Sequence, residues 1–266
     1  MSRFNNLEFG EEFEGQGQLS SHAQSESRQR LVKDETFYRT EAQTAFESGL
    51  FEEALRLYAK VLEFNPRNAA AWTGQVRMLI ELNEFEEAKK WADKALEQFP
   101  DEPELLAAKA VALARLGDLE AAIVYSDASI GERGETPYLW LARGDVQMAR
   151  REKRADYCFD KAFALAPRNW FVRWLSARIH CYYKKFALAL KLIQEALSCD
   201  AAQGVLWMQL GFCQQALGLV EPARASFQHA RQFDSQSHQA DDALRALYQI
   251  GFWNKLRRRW RHLFGG

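Results

Sequence analysis

Along most of the chain apolar and polar positions follow one another with the spacing of a helix, and that spacing itself recurs. Residues 51–66 read FEEALRLYAKVLEFNP and residues 85–100 read FEEAKKWADKALEQFP, an offset of 34. Within each segment a small residue is followed by an apolar or small one four and seven positions later and by a proline: Ala54, Tyr58, Val61 and Pro66, then Ala88, Ala92, Ala95 and Pro100. The pattern returns at Leu119 with Ala122 and Ser129, at Ala155 with Phe159, Ala162 and Pro167, at Ala189 with Ile193 and Ala196, and at Ala223 with Phe227 and Ala230. Intervals of three and four place these residues on one helical face.

A second helical segment precedes each of these. Trp72, Trp140 and Trp207 hold its fourth position, with Tyr38 and Leu106 in the same slot. Four residues on come Ala42, Ala110, Gly144, Ala177 and Gly211. Gly49, Gly117 and Gly218 fall near the turn between the two segments. A 34-residue period built of helix pairs marks an array in which each pair buries its apolar face only against its neighbours.

These positions resemble the tetratricopeptide repeat: an aromatic, then a small residue (Leu210–Gly211 in the last copy), then alanine, aromatic, alanine and proline. The resemblance implies an all-α, right-handed α-solenoid of about six helix pairs. We place them at 35–68, 69–102, 103–136, 137–169, 170–203 and 204–237. The fourth is one residue short, which we assign to its inter-helix turn near Arg150–Lys153. The fifth carries Arg173 at the tryptophan slot with Trp174 beside it, and Gly134 and Ser235 stand where proline is usual. Residues 238–250 have Ala243, Leu244, Leu247 and Ile250 on one face and are expected to form a capping helix.

In such arrays the first helix of each pair lines a concave groove, with positions 2, 5, 9 and 12 pointing inward. The first three repeats offer Thr36, Arg39, Gln43 and Phe46; Ala70, Thr73, Arg77 and Ile80; and Glu104, Ala107, Val111 and Ala114. The last three offer Tyr138, Leu141, Asp145 and Met148; Phe171, Trp174, Arg178 and Cys181; and Val205, Met208, Phe212 and Gln215. The second half is aromatic and Met-rich, which suits an apolar or amphipathic peptide or helix. The expected partner-binding residues are therefore Tyr138, Leu141, Asp145, Phe171, Trp174, Arg178, Met208 and Phe212. Some of these side chains could instead pack between repeats. The carboxylate-clamp positions that the resemblance assigns to chaperone binders hold Arg39, Gln43, Gly74, Glu104 and Ala108, so that clamp is absent.

The totals fit a globular helical chain: 47% hydrophobic and 27% charged residues, with six prolines and fifteen glycines in 266 residues. The net charge of −1 hides an asymmetry. In the last sixteen residues, GFWNKLRRRWRHLFGG, a helical projection gathers Phe252, Trp253, Leu256, Trp260, Leu263 and Phe264 within about 120°. Lys255, Arg257, Arg258, Arg259 and Arg261 take the rest. This basic amphipathic arm is expected to cap the solenoid, to lie on an anionic membrane surface or to dock on a partner. Nucleic acid is the weakest of its readings, because one short helix is a thin footprint. Residues 1–34, rich in Ser, Gln, Glu and Gly, read as a mostly disordered tail carrying Phe4, Leu7, Phe9 and Phe13 among acidic residues.

No catalytic signature emerges. His22, His180, His229, His238 and His262 form no metal-ligand spacing, and there is no phosphate loop or nucleophile elbow. Cys158, Cys181, Cys199 and Cys213 form no C-x-x-C pair and fall in helical segments. No secretory signal or membrane span is legible. The sequence therefore leads us to expect a cytoplasmic adaptor, peripheral at a membrane if the arm anchors it. It would need no cofactor and would bind a protein or peptide. An accessory subunit regulating a bound enzyme is the alternative.

Overall fold

The computed structural model describes residues 33–131, 135–233 and 238–248. Among them every regular element is a helix and no strand occurs. Six pairs follow in order: α1 (Glu35–Glu47) and α2 (Phe51–Phe64), α3 (Ala69–Glu81) and α4 (Phe85–Leu96), α5 (Pro103–Leu116) and α6 (Leu119–Gly131), α7 (Pro137–Ala149) and α8 (Ala155–Leu165), α9 (Trp170–Tyr182) and α10 (Phe186–Cys199), α11 (Gly204–Ala216) and α12 (Val220–Phe233). A further helix, α13, spans 238–248 and packs Ala243, Leu244 and Leu247 against Ala223 and Phe227 of α12. The basic arm at 252–264 and the tail at 1–32 lie outside the described residues. No described helix is long and apolar enough to cross a membrane.

The starts of these helices are written in the sequence. Asp34, Asn68 and Asn169 cap α1, α3 and α9 by accepting hydrogen bonds from Phe37, Ala71 and Phe171 N–H at 2.9, 3.0 and 2.9 Å. Pro103 and Pro137 open α5 and α7, where the missing N–H has no helical partner to lose.

Each pair turns at its fifteenth residue, which is left-handed every time: Gly49, Asn83, Gly117, Arg151, Lys184 and Gly218, with φ between 58° and 91°. Glycine and asparagine suit that backbone, whereas Arg151 and Lys184 bear its steric cost. In five pairs the second helix starts two residues after this position; in the fourth, α8 starts four residues after Arg151. The residue missing from the fourth repeat thus lies between Arg151 and Ala155. It removes the first turn of α8 and lengthens the connection, whereas the sequence suggested a shortened turn.

Small residues set how closely the helices cross. A Cβ added at Gly144 would stand 2.8 Å from the Phe159 ring, and one at Gly211 would run into the Phe227 ring. Both glycines allow the aromatic of their own second helix to press close against the backbone of the first. The tryptophans at the fourth position fill the wedge, and two of them tie it to the preceding loop. Trp72 Nε1 donates to the Pro66 carbonyl at 2.9 Å, and Trp207 Nε1 donates to Ala201 at the same distance.

The stack bends inward at the fifth pair. Helix α9 packs beside α10, and its inner face reaches the first three pairs. Phe171 meets Phe46 of α1 edge-on at 5.0 Å, Trp174 stacks on Phe51 of α2 at 6.1 Å, and Tyr182 meets Phe85 of α4 at 5.9 Å. The Gly49 turn also sits against α9 and α11, since a Cβ there would lie 3.0 Å from Val205 and 3.8 Å from Trp174. Phe46 and most of the inner face of the third repeat are therefore covered by the chain itself, whereas Arg39 and Gln43 stay exposed and, with Arg77 and Glu104, line an N-terminal groove.

Candidate functional site

Two polar locks hold α9 in this position. Arg178 donates from Nε to Glu81 Oε2 at 2.6 Å, joining residues 97 apart in sequence. Its guanidinium also lies 4.4 Å from the Phe51 ring centre and 5.3 Å from that of Trp174. The second lock centres on Asp145 of α7, which is 2% exposed. Arg115 of α5 grips both its oxygens side-on, Nε donating to Oδ1 at 3.0 Å and a terminal nitrogen to Oδ2 at 2.6 Å. The Tyr183 hydroxyl, just past α9, donates to Oδ1 at 2.7 Å. Tyr182 covers Arg115, with the guanidinium carbon 3.3 Å from its ring centre.

The electrostatics follow from this geometry. Burial opposes the charge on Arg115, but Asp145 outweighs it and holds the guanidinium's pKa above its ordinary value. Burial, then the neighbouring Asp145 carboxylate, push Tyr183 well above the usual phenol range, so it stays a donor. A buried ion pair satisfied on both carboxylate oxygens is costly to break from one side, because the surviving charge has no water to return to.

Between α9 and the inner faces of α3, α5 and α7 a cavity of about 300 Å³ remains. Its walls mix apolar groups (Ile80, Val111, Leu141, Ala142, Leu175, Ile179) with Arg77, Glu81, Arg115, Asp145 and Arg178. Cys181 and Gln209 line its edge. The Cys181 and Cys213 sulfurs lie 3.4 Å apart, and Gln209 Nε2 approaches Cys181 Sγ at 3.3 Å. The shared contact favours the thiolate at Cys181 and, with burial, disfavours it at Cys213. Burial lowers the pKa of His180, whose Nδ1 lies 2.8 Å from the Ser176 carbonyl, so it is a neutral core residue. Among the described residues no three His, Cys, Asp or Glu side chains converge as metal ligands.

The eight residues expected to meet a partner fall in three places. Leu141 and Asp145 are buried at the central cavity, which Tyr138 and Arg178 also line. Trp174 is fully buried and Phe171 half-buried, both packed on the first repeat. Met208 and Phe212 line a second groove of about 490 Å³ on α11, with Val205, Phe233, Gln239 and the Gly49–Phe51 turn; Trp174 lines it too, and Arg178 and Gln209 border both it and the central cavity. Phe212 is 45% exposed there. Sequence reasoning missed Glu81, Arg115, Tyr182 and Tyr183. The first three lie at the thirteenth position of their repeats and Tyr183 at the fourteenth, one or two past the last position counted as inward-facing. The charges at Glu47, Glu81 and Arg115 were the available signal.

Comparison with known proteins agrees with this architecture. Residues 45–112 match the tetratricopeptide repeat family model. A comparison with curated proteins gives no match. Among solved structures, a tetratricopeptide repeat protein from Parabacteroides merdae is similar over 83% of this chain and 87% of its own, at 17% identity and a TM-score of 0.51. Yeast Tom70 is similar over 84% of this chain and 49% of its own, at 16% identity and a TM-score of 0.53. The family model thus identifies residues 45–112 as tetratricopeptide repeat, and the same solenoid fold extends over the remaining helix pairs.

Proposed function

We propose that the chain is an interaction scaffold that holds an apolar or amphipathic segment of a partner protein and does no chemistry of its own. The observation that carries this reading is the α11 groove. Phe212 stands 45% exposed beside Met208, in a concavity walled by Phe51, Val205 and Phe233. Large apolar side chains left in water next to a groove are the usual anchor for a partner's apolar face. Methionine adds adaptable contacts. Of the eight residues singled out by sequence, Met208 and Phe212 are therefore the direct contacts in this reading. Trp174 and Arg178 also line this groove, and Tyr138, Leu141, Asp145 and Phe171 shape it from behind by holding α9.

The test is capture of partner proteins from the native host on immobilised full-length chain. Phe212→Ala should weaken capture by about 2 kcal/mol, near thirtyfold, if it is an anchor. It should leave the helical signal and thermal midpoint unchanged. Capture unaffected by both Phe212→Ala and Met208→Ala in folded protein would remove the α11 groove as the binding surface.

A further inference from the structure

Of the three arginines lining the central cavity, two are committed, Arg115 to Asp145 and Arg178 to Glu81. Arg77 is not. Its side chain is only 17% exposed, yet among the described residues none of its N–H groups makes a hydrogen bond. Its nearest carboxylate oxygen, on Glu104, is 3.9 Å away and lies toward the neighbouring N-terminal groove. Glu104 is itself engaged, accepting the Thr136 hydroxyl at 2.8 Å. What holds Arg77 is ring faces: its guanidinium carbon lies 3.8 Å from the centre of Tyr138 and 5.0 Å from that of Phe46. Stacking satisfies the flat faces of a guanidinium and leaves its rim of donors free. The Tyr138 hydroxyl, on the same cavity, also makes no hydrogen bond among the described residues. Burial pushes its pKa far up, so it is a fixed neutral donor.

We infer that this cavity binds a small organic monocarboxylate with a compact apolar body, its carboxylate on Arg77 and the Tyr138 hydroxyl. The cavity walls carry three arginines against Glu81 and Asp145, a net charge of +1. Glu104, 3.9 Å from Arg77, already offsets part of that surplus, so the walls suit at most a monoanion, and a phosphate dianion would face both carboxylates. Ile80, Val111, Leu141 and Ile179 supply the apolar surface that a charged head alone would not need. A volume of about 300 Å³ is at the small end of ligand cavities. Helix α9 fills the space along which an extended peptide would run, so a free acid fits where a chain does not. The occupant is thus distinct from the partner segment at α11.

The test is calorimetric titration of the full-length protein with benzoate, isovalerate and hydrocinnamate, each against its primary amide. At least one acid should bind with a Kd below about 1 mM, and its amide at least tenfold more weakly. Arg77→Gln should abolish acid binding, and Val111→Phe should do so by filling the cavity. Phe212→Ala should change nothing here, which separates this site from the α11 groove. If Arg77→Gln does not fold, Tyr138→Phe keeps the ring under Arg77, removes only the hydroxyl, and should weaken the acid at least fivefold. The inference is overturned if no acid binds, if amides bind as well as acids, or if folded Arg77→Gln or Tyr138→Phe binds as the parent does. Tighter binding by phenyl phosphate, or by a short free-carboxylate peptide ending in leucine, would equally overturn it.

Discussion

Helices α5 and α9 are both first helices of their pairs, and they are buried by opposite means. In α5 every residue from Leu105 to Ala114 is buried, and five of those ten are alanines. Small side chains let α3 and α7 close on it from both sides, so α5 behaves as a plain rung of the stack. Helix α9 instead carries Phe171, Trp174, Arg178 and Tyr182, and these reach across to α1, α2, α3 and α4. The difference teaches what sets the pitch of such an array. Small inner residues keep neighbours stacked at uniform spacing; large inner residues bring the stack round onto itself and turn a groove into an interior.

The comparison can be broken from either side. The largest effect should come from α9. Trp174→Ala removes a fully buried indole packed on Phe51 and Phe171, and should cost about 4 kcal/mol in urea unfolding. Next is Asp145, where α5 and the end of α9 meet. Asp145→Ala strands Arg115 without its partner and should cost about 3 kcal/mol by the same measurement. On the α5 side the sensitive change is the reverse one, adding bulk. Ala108 is fully buried, and Ala108→Leu should cost about 2 kcal/mol by forcing α3 or α7 away. The smallest effects concern the turns that follow the two helices. Gly117→Ala should lose about 1 kcal/mol, whereas Lys184→Gly should gain about as much, since both positions are left-handed. Thermal midpoints of the two variants should move in opposite directions.

Much of the fold was legible because the repeat is a local pattern. The 34-residue phase and the small residues at Gly144 and Gly211 can be read without knowing what lies far away in sequence. The turn residues were half legible. Gly49, Gly117 and Gly218 announce a left-handed position and Asn83 is compatible with it, but Arg151 and Lys184 occupy it against their usual preference, held by the helices on each side. The inward path of α9 was not legible, although its signal was present. In the fifth repeat the tryptophan moves from the fourth to the fifth position, and one step along a helix turns a side chain by about 100°. That rotation carries Trp174 from the inter-helix wedge to the inner face. Which distant residues it would meet there depends on the summed twist of four preceding pairs, and no single repeat encodes that sum.

The central claim is that α9 closes onto the first repeats and that the locks across this closure contribute to stability. A double-mutant cycle on Glu81 and Arg178 tests it most directly. The two residues are 97 apart in sequence and joined at 2.6 Å through side chains that are mostly buried. Glu81→Gln, Arg178→Gln and the double variant should give a coupling of about 1 kcal/mol or more in chemical unfolding. Single-variant losses that simply add, within about 0.5 kcal/mol, would place α9 away from α3 and contradict the account.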